Sequence, residues 1–127
     1  GKTVLVSYRS GNALRLELLD VATRVATPLP LVTMSEKCVW SSDDTALYCA
    51  VPKTLTCTLP DDWYQGAVSF SDRIWKVSVT DRVATMIVDI ETLAEESVDV
   101  VSLSVDSANT ALGFVNRVNG SLWLYSL

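Results

Sequence analysis

The chain has 127 residues, of which 49% are hydrophobic and 20% charged, so it can bury the core of one domain and lies outside the disordered class. Its net charge is −5, from 15 acidic and 10 basic residues without a basic cluster, which argues against a nucleic-acid partner or an anionic membrane. Histidine is absent, which excludes catalytic machinery of the Ser-His-Asp and Cys-His types from this chain.

Alternating apolar residues predict β-strands along almost the whole chain. A polar turn separates each strand from the next, and prolines end the third one. Only residues 91–96 have a helical pattern, sufficient for at most one turn. The predicted strands are 3–8, 14–18, 24–29, 37–40, 45–51, 74–79, 83–88, 100–105, 111–115 and 122–125.

Short strands at this spacing indicate a sandwich, a barrel or a propeller, and internal repetition helps to choose among them. The tetrapeptide Arg-Val-Ala-Thr occurs at 24–27 and again at 82–85, 58 residues later. Thr-Ala-Leu occurs at 45–47 and at 110–112, 65 residues apart. The repeated unit is about four strands long, which is the size of a propeller blade.

One segment carries a recognisable motif. Residues 40–48, Trp-Ser-Ser-Asp-Asp-Thr-Ala-Leu-Tyr, resemble the Trp-Ser-Pro-Asp-Gly signature of WD40-like propeller repeats of the PD40 and TolB type. Ser42 replaces the usual proline and Asp44 the usual glycine, and both residues suit a turn. The resemblance implies an all-β fold, a fragment of a β-propeller with about three four-stranded antiparallel blades. A β-sandwich is the alternative.

The strand order then divides the chain into three predicted blades. Blade 1 is partial and covers 2–30, blade 2 is complete and covers 37–90, and blade 3 is partial and covers 98–127. We therefore expect a chain that begins and ends within a blade.

Two sets of residues recur at equivalent places in the predicted repeat. Asp43 and Asp106 are expected to cap the turn between first and second strands, rather than to form a metal or acid–base pair with Asp44. Large aromatic residues are expected to pack between adjacent blades, with a stacking surface for sugar or peptide as the alternative. These residues are Trp40, Trp75 and Trp123.

The inserted segment, residues 52–71, departs from the repeat because its counterparts in the other blades are short turns. Long aromatic loops are often functional. Its candidate ligand or interface residues are Asp61, Asp62, Trp63 and Tyr64, which would suit a glycan or a peptide. The alternative is that Trp63 and Tyr64 fold back over exposed blade edges.

The three cysteines do not form a recognisable framework. Their number is odd, and Cys-x-x-Cys spacing is absent. Cys38 and Cys49 lie in apolar strand segments, so we expect buried thiols there, with a Cys49–Cys57 bridge as the alternative. No cofactor or metal is expected.

The sequence favours a non-catalytic propeller module that acts as a structural or protein-interaction scaffold. An isolated run of blades exposes apolar faces, so we expect a homodimer that closes a ring of about six blades. The alternatives are a glycan- or peptide-binding propeller that uses the inserted segment, and an accessory domain of a larger hydrolase. The localisation is left open, and an extracytoplasmic compartment is considered for the parent protein.

Overall fold

A computed structural model of the chain describes residues 2–11, 13–54, 61–66 and 69–127. It confirms the all-β class, with 51% strand and 9% helix. Among the described helices, none has the length and apolar character that a membrane crossing requires.

Within these described ranges, ten strands form three separate antiparallel sheets. The first sheet has the order β1 (Thr3–Ser10), β2 (Ala13–Asp20), β3 (Ala26–Pro28). The middle sheet is a four-stranded meander of β4 (Cys38–Trp40), β5 (Ala46–Pro52), β6 (Asp72–Ser78) and β7 (Ala84–Asp89). The third sheet contains β8 (Val100–Val105), β9 (Ala111–Asn116) and β10 (Leu122–Ser126). Two short helices, α1 (Asp61–Tyr64) and α2 (Ile90–Ala94), and a 3-10 turn (Ser35–Lys37) lie between strands.

The middle sheet is buried on both faces, which explains why β5 is apolar at consecutive positions. On one face, Leu47, Cys49 and Val77 pack with Leu16 and Leu18 of the first sheet. The opposite face forms a second core with the third sheet. That second core is built from Tyr48, Ala50, Ile74, Val88, Ile90, Val98, Val100, Leu103, Leu112 and Phe114.

The two flanking sheets each bury one face only. In β1, Leu5 packs into the first core, so Val4 and Tyr8 point away from it, and both are 44% exposed. In β10, Trp123 packs toward the second core, while Leu122 and Leu124 are 74% and 79% exposed. The outer face of the third sheet therefore carries the exposed apolar residues Leu122 and Leu124, whereas that of the first sheet combines Val4 and Tyr8 with Arg15 and Glu17.

A disulfide joins Cys38 and Cys49, so the prediction of two buried thiols is wrong. The physical reason is strand register, because β4 and β5 pair with Cys38 directly opposite Cys49. The alternative Cys49–Cys57 bridge is also wrong, since the sulfur of Cys49 is bonded to Cys38. Cys57 lies outside the described residues.

The repeated Arg-Val-Ala-Thr segments begin at equivalent turns. The Asp20 N–H donates to the Val25 carbonyl and the Ser78 N–H to the Val83 carbonyl, each over 3.0 Å. The fifth residue of each turn, Arg24 or Arg82, is left-handed with φ of 59°. The tetrapeptide therefore follows a turn geometry that the first and middle sheets share.

The turns that follow β4 and β8 correct the expected alignment of Asp43 with Asp106. The Ser41 N–H donates to the Ala46 carbonyl, just as the Asp106 N–H donates to that of Ala111. Asp106 therefore corresponds to Ser41, and the two aspartates occupy different positions in the same turn.

Both aspartates nevertheless bond within their own turns. Asp43 accepts hydrogen bonds from Ser41 Oγ at 2.7 Å and from Thr45. Asp106 accepts from Thr110 and from the Ala111 N–H. The bond from Ser41, assisted by those from Thr45, lowers the pKa of Asp43 to about 2.

Asp43→Ala should lower the melting temperature by a few degrees, because the turn loses its side-chain acceptor. Asp61→Ala is the control, since Asp61 is exposed. Thermal denaturation followed by circular dichroism measures both variants. Equal melting temperatures for the two variants would contradict the capping role.

Candidate functional site: a buried lysine–aspartate cluster

Three charged side chains meet between the middle and third sheets, and each is 0% exposed. Lys37 ends the 3-10 turn before β4, Asp72 begins β6, and Asp99 directly precedes β8. These positions lie at the same end of their sheets. We call Lys37, Asp72 and Asp99 the buried cluster.

The lysine ammonium uses its three donors within the cluster. Its Nζ lies 2.5 Å from Asp72 Oδ2, 2.7 Å from Asp99 Oδ1 and 2.9 Å from the Val100 carbonyl oxygen. Such fully bonded geometry is what allows a charge to remain buried. Lys37 thereby ties the start of β4 to the starts of β6 and β8.

The two carboxylates differ in how completely they are bonded. Asp99 accepts from Lys37, from the Trp63 indole N–H and from the Phe70 backbone N–H. Asp72 Oδ2 accepts from Lys37 and from the Val100 N–H, whereas its Oδ1 has no hydrogen-bond partner within the described chain. One cation thus faces two carboxylates. Burial raises the pKa of Asp72 to about 6, although Lys37 opposes the rise.

Trp63 closes the cluster from the side of the inserted segment. Its Nε1 lies 3.0 and 3.2 Å from the two oxygens of Asp99. The Arg117 guanidinium carbon lies 4.1 Å from the indole ring centroid, and Lys37 Nζ lies 5.2 Å from it. The indole is therefore held by a carboxylate at its edge and by cations at its faces.

The candidate residues of the inserted segment separate in space. Trp63 is buried, with 6% exposure, and joins Met34 and Phe70 in a small apolar cluster. Tyr64 is 52% exposed, and Asp61 is also exposed. The side chain of Asp62 and residues 55–60 and 67–68 lie outside the described structure. Of the three candidates whose side chains are described, Trp63 is the one that contacts the buried cluster.

The repeated tryptophans lie against the cores. Trp40 and Trp75 are partly buried and pack on the core between the first and middle sheets. Trp123 stacks on Phe114, with ring centroids 6.4 Å apart and planes 3° from parallel. Trp40 and Trp75 thus contribute to packing between sheets, whereas the ring stack of Trp123 on Phe114 lies within the third sheet.

Among the described residues, no group of three or more histidine, cysteine, aspartate or glutamate side chains is arranged to hold a metal. Asp72 and Asp99 are a pair, and the ammonium of Lys37 occupies the position between them. Chemically, the cluster is suited to binding a cationic or N–H donor group.

Sequence reasoning missed all three members of the cluster. The available signal was a charge beside an apolar strand segment: Lys37 precedes Cys-Val-Trp, and Asp99 stands between Ser97-Val98 and Val100-Val101. Charged residues are almost never fully buried unless they are paired. That rule could have marked Lys37 and Asp99 as candidates for a buried ion pair. It could not have identified their partners, because Lys37 lies 35 positions from Asp72 and 62 from Asp99 in the sequence.

Comparison with protein-family models and with curated protein sequences finds no significant match to this chain.

Proposed function

We propose that the chain is a run of β-propeller blades that serves as a non-catalytic structural and protein-interaction scaffold. The observation that carries the proposal is the middle sheet, a four-stranded meander packed on both faces by other sheets. Blades of a propeller pack in this way. The sheets also fall within the three ranges expected for blades from the sequence.

Contacts between first strands and between turns support the same proposal. β4 of the middle sheet lies against β8 of the third. The turns that follow these strands are bonded together: the Ser42 N–H donates to Asn109 Oδ1 over 2.9 Å, and Ser42 Oγ donates to the Ser107 carbonyl over 2.8 Å. Equivalent turns of neighbouring sheets thus lie side by side, as they would in repeats arranged around an axis.

The partner of the scaffold in this proposal is a second copy of the chain. Within the chain, a sheet face is covered by another antiparallel sheet, and both outer faces carry exposed apolar side chains, Val4 on the first sheet and Leu122 and Leu124 on the third. Two copies joined by the Val4–Tyr8 face of one and the Leu122–Leu124 face of the other would make a ring of about six blades, within the usual range of 4–8.

Light scattering tests this assembly. The wild-type chain should be a dimer at micromolar concentration, and Leu124→Asp should be a folded monomer because it places a charge on the outer face. Leu93→Asp is the matched control, since Leu93 is 67% exposed on α2 and lies off both outer faces. A monomeric wild type, or a Leu124→Asp variant that remains dimeric, would remove the self-association proposal.

A further inference from the structure

Among the described side chains of residues 61–66, Trp63 is the one that is buried. Helix α1 is a single turn, and the neighbouring residues Asp61, Tyr64, Gln65 and Gly66 are exposed. Trp63, by contrast, is 6% exposed. Burial and polar contacts of the described turn are thus concentrated in the indole, as they are in the anchor residue of a bound peptide.

The cavity that holds the Trp63 indole is bounded by Lys37, Asp99 and Arg117. The Lys37 ammonium and the backbone of Asp99 and Arg117 are held by bonds that do not involve Trp63. The Asp99 N–H donates to Asn116 Oδ1 over 3.2 Å, and the Arg117 N–H donates to the Asp99 carbonyl over 2.8 Å. Lys37 is held by Asp72 and Val100. These groups belong to the sheets and their immediate ends, so the cavity is preorganised.

The polar groups of the cavity select for an aromatic ring that carries an N–H. Asp99 places both oxygens within 3.2 Å of Nε1, and a buried carboxylate without that donor would lose a charge-assisted bond. Arg117 and Lys37 meet the ring faces, where the π-electrons attract cations. An aliphatic side chain would satisfy neither feature.

We propose that this cavity is a binding site for an indole group with a free N–H, which Trp63 occupies in cis. The site accepts the same chemistry in trans when Trp63 is removed or displaced. This inference is independent of the proposed scaffold function, because it depends on the Asp99 cavity alone.

Trp63→Gly with added indoles tests the proposal. Calorimetry should detect saturable binding of 3-methylindole to the folded variant. 1-Methylindole has the same size but lacks the N–H, and it should bind at least about tenfold more weakly because Asp99 loses its donor. The variant Trp63→Phe should bind neither compound, since its own ring fills the cavity. Equal affinities for the two methylindoles, or binding to the Phe variant, would overturn the proposal.

Refolding provides a second readout if Trp63→Gly does not fold alone. Diluted from urea, the variant should regain its circular dichroism spectrum with 3-methylindole and not with 1-methylindole, because a ligand of the folded state stabilises it. A peptide of residues 61–66, tested with the folded variant or in refolding, should act as 3-methylindole does. Failure of both the indole and the peptide would rule out the site.

Discussion

Lys37→Met is expected to lower the free energy of unfolding by about 3–5 kcal/mol, because it leaves two buried carboxylates without their cation. Methionine fills similar space, so the change removes charge and hydrogen bonds more than volume. A domain of this size has a stability of roughly 5–15 kcal/mol, so the loss would be a large fraction of it. Urea denaturation measures the effect.

Lys53→Met is the matched control, since it removes the same charge from a salt bridge with Asp89 that is partly exposed to solvent. Its effect should be much smaller because exposed ion pairs contribute little. Asp72→Asn should lower the free energy of unfolding by less in the Lys37→Met background than in the wild type, because the lysine and the aspartate act together. Equal losses for the Lys37 and Lys53 variants would show that the buried cluster does not stabilise the fold.

The strands and turns could be predicted because their signals are local. Apolar patterning, alternating in most strands and continuous in β5, located the ten strands of the described residues. The repeated Arg-Val-Ala-Thr segments correctly pointed to equivalent turns at Arg24 and Arg82. The predicted equivalence of Asp43 and Asp106 was wrong because Ser41 occupies the position of Asp106 in the other turn. Ser41 Oγ accepts from the Ala46 N–H, as Asp106 Oδ1 accepts from the Ala111 N–H. Matching residue types is therefore a poor way to align two turns when serine and aspartate can each accept the same backbone hydrogen bond.

The buried cluster and the disulfide could not be predicted because both depend on register and on long-range packing. Cys38 meets Cys49 only if β4 and β5 pair in one particular alignment, since a shift of one residue reverses the faces. Lys37 meets Asp99 only when two sheets stack. The long aromatic segment made Trp63 a candidate ligand or interface residue, whereas the bond that holds its indole inside the protein depends on Asp99.

The stability of the protein should fall as pH rises from about 4 to above 6, because Asp72 has a folded-state pKa raised by burial to about 6 from 3.8. A carboxyl with a raised pKa binds its proton more tightly in the folded state, so its stabilising contribution is present below pH 4 and is lost as pH passes 6. The shift corresponds to a loss on the order of 2–3 kcal/mol. The chain has no histidine, so no imidazole titrates in this window.

Asp72→Asn should abolish most of this dependence, since an amide keeps the shape and has no proton to lose. Urea denaturation of both proteins at intervals between pH 4.5 and pH 7.5 gives the comparison. Asp43 and Asp89 act in the opposite direction, because hydrogen bonds from Ser41 and Lys53 respectively lower their pKa values. The stabilising contribution of these two carboxylates is present above pH 4 and is lost as pH falls below it. A wild-type profile that is flat from pH 5 to 7, or one unchanged by Asp72→Asn, would mean that Asp72 remains ionised in the folded protein and that Lys37 balances both carboxylates.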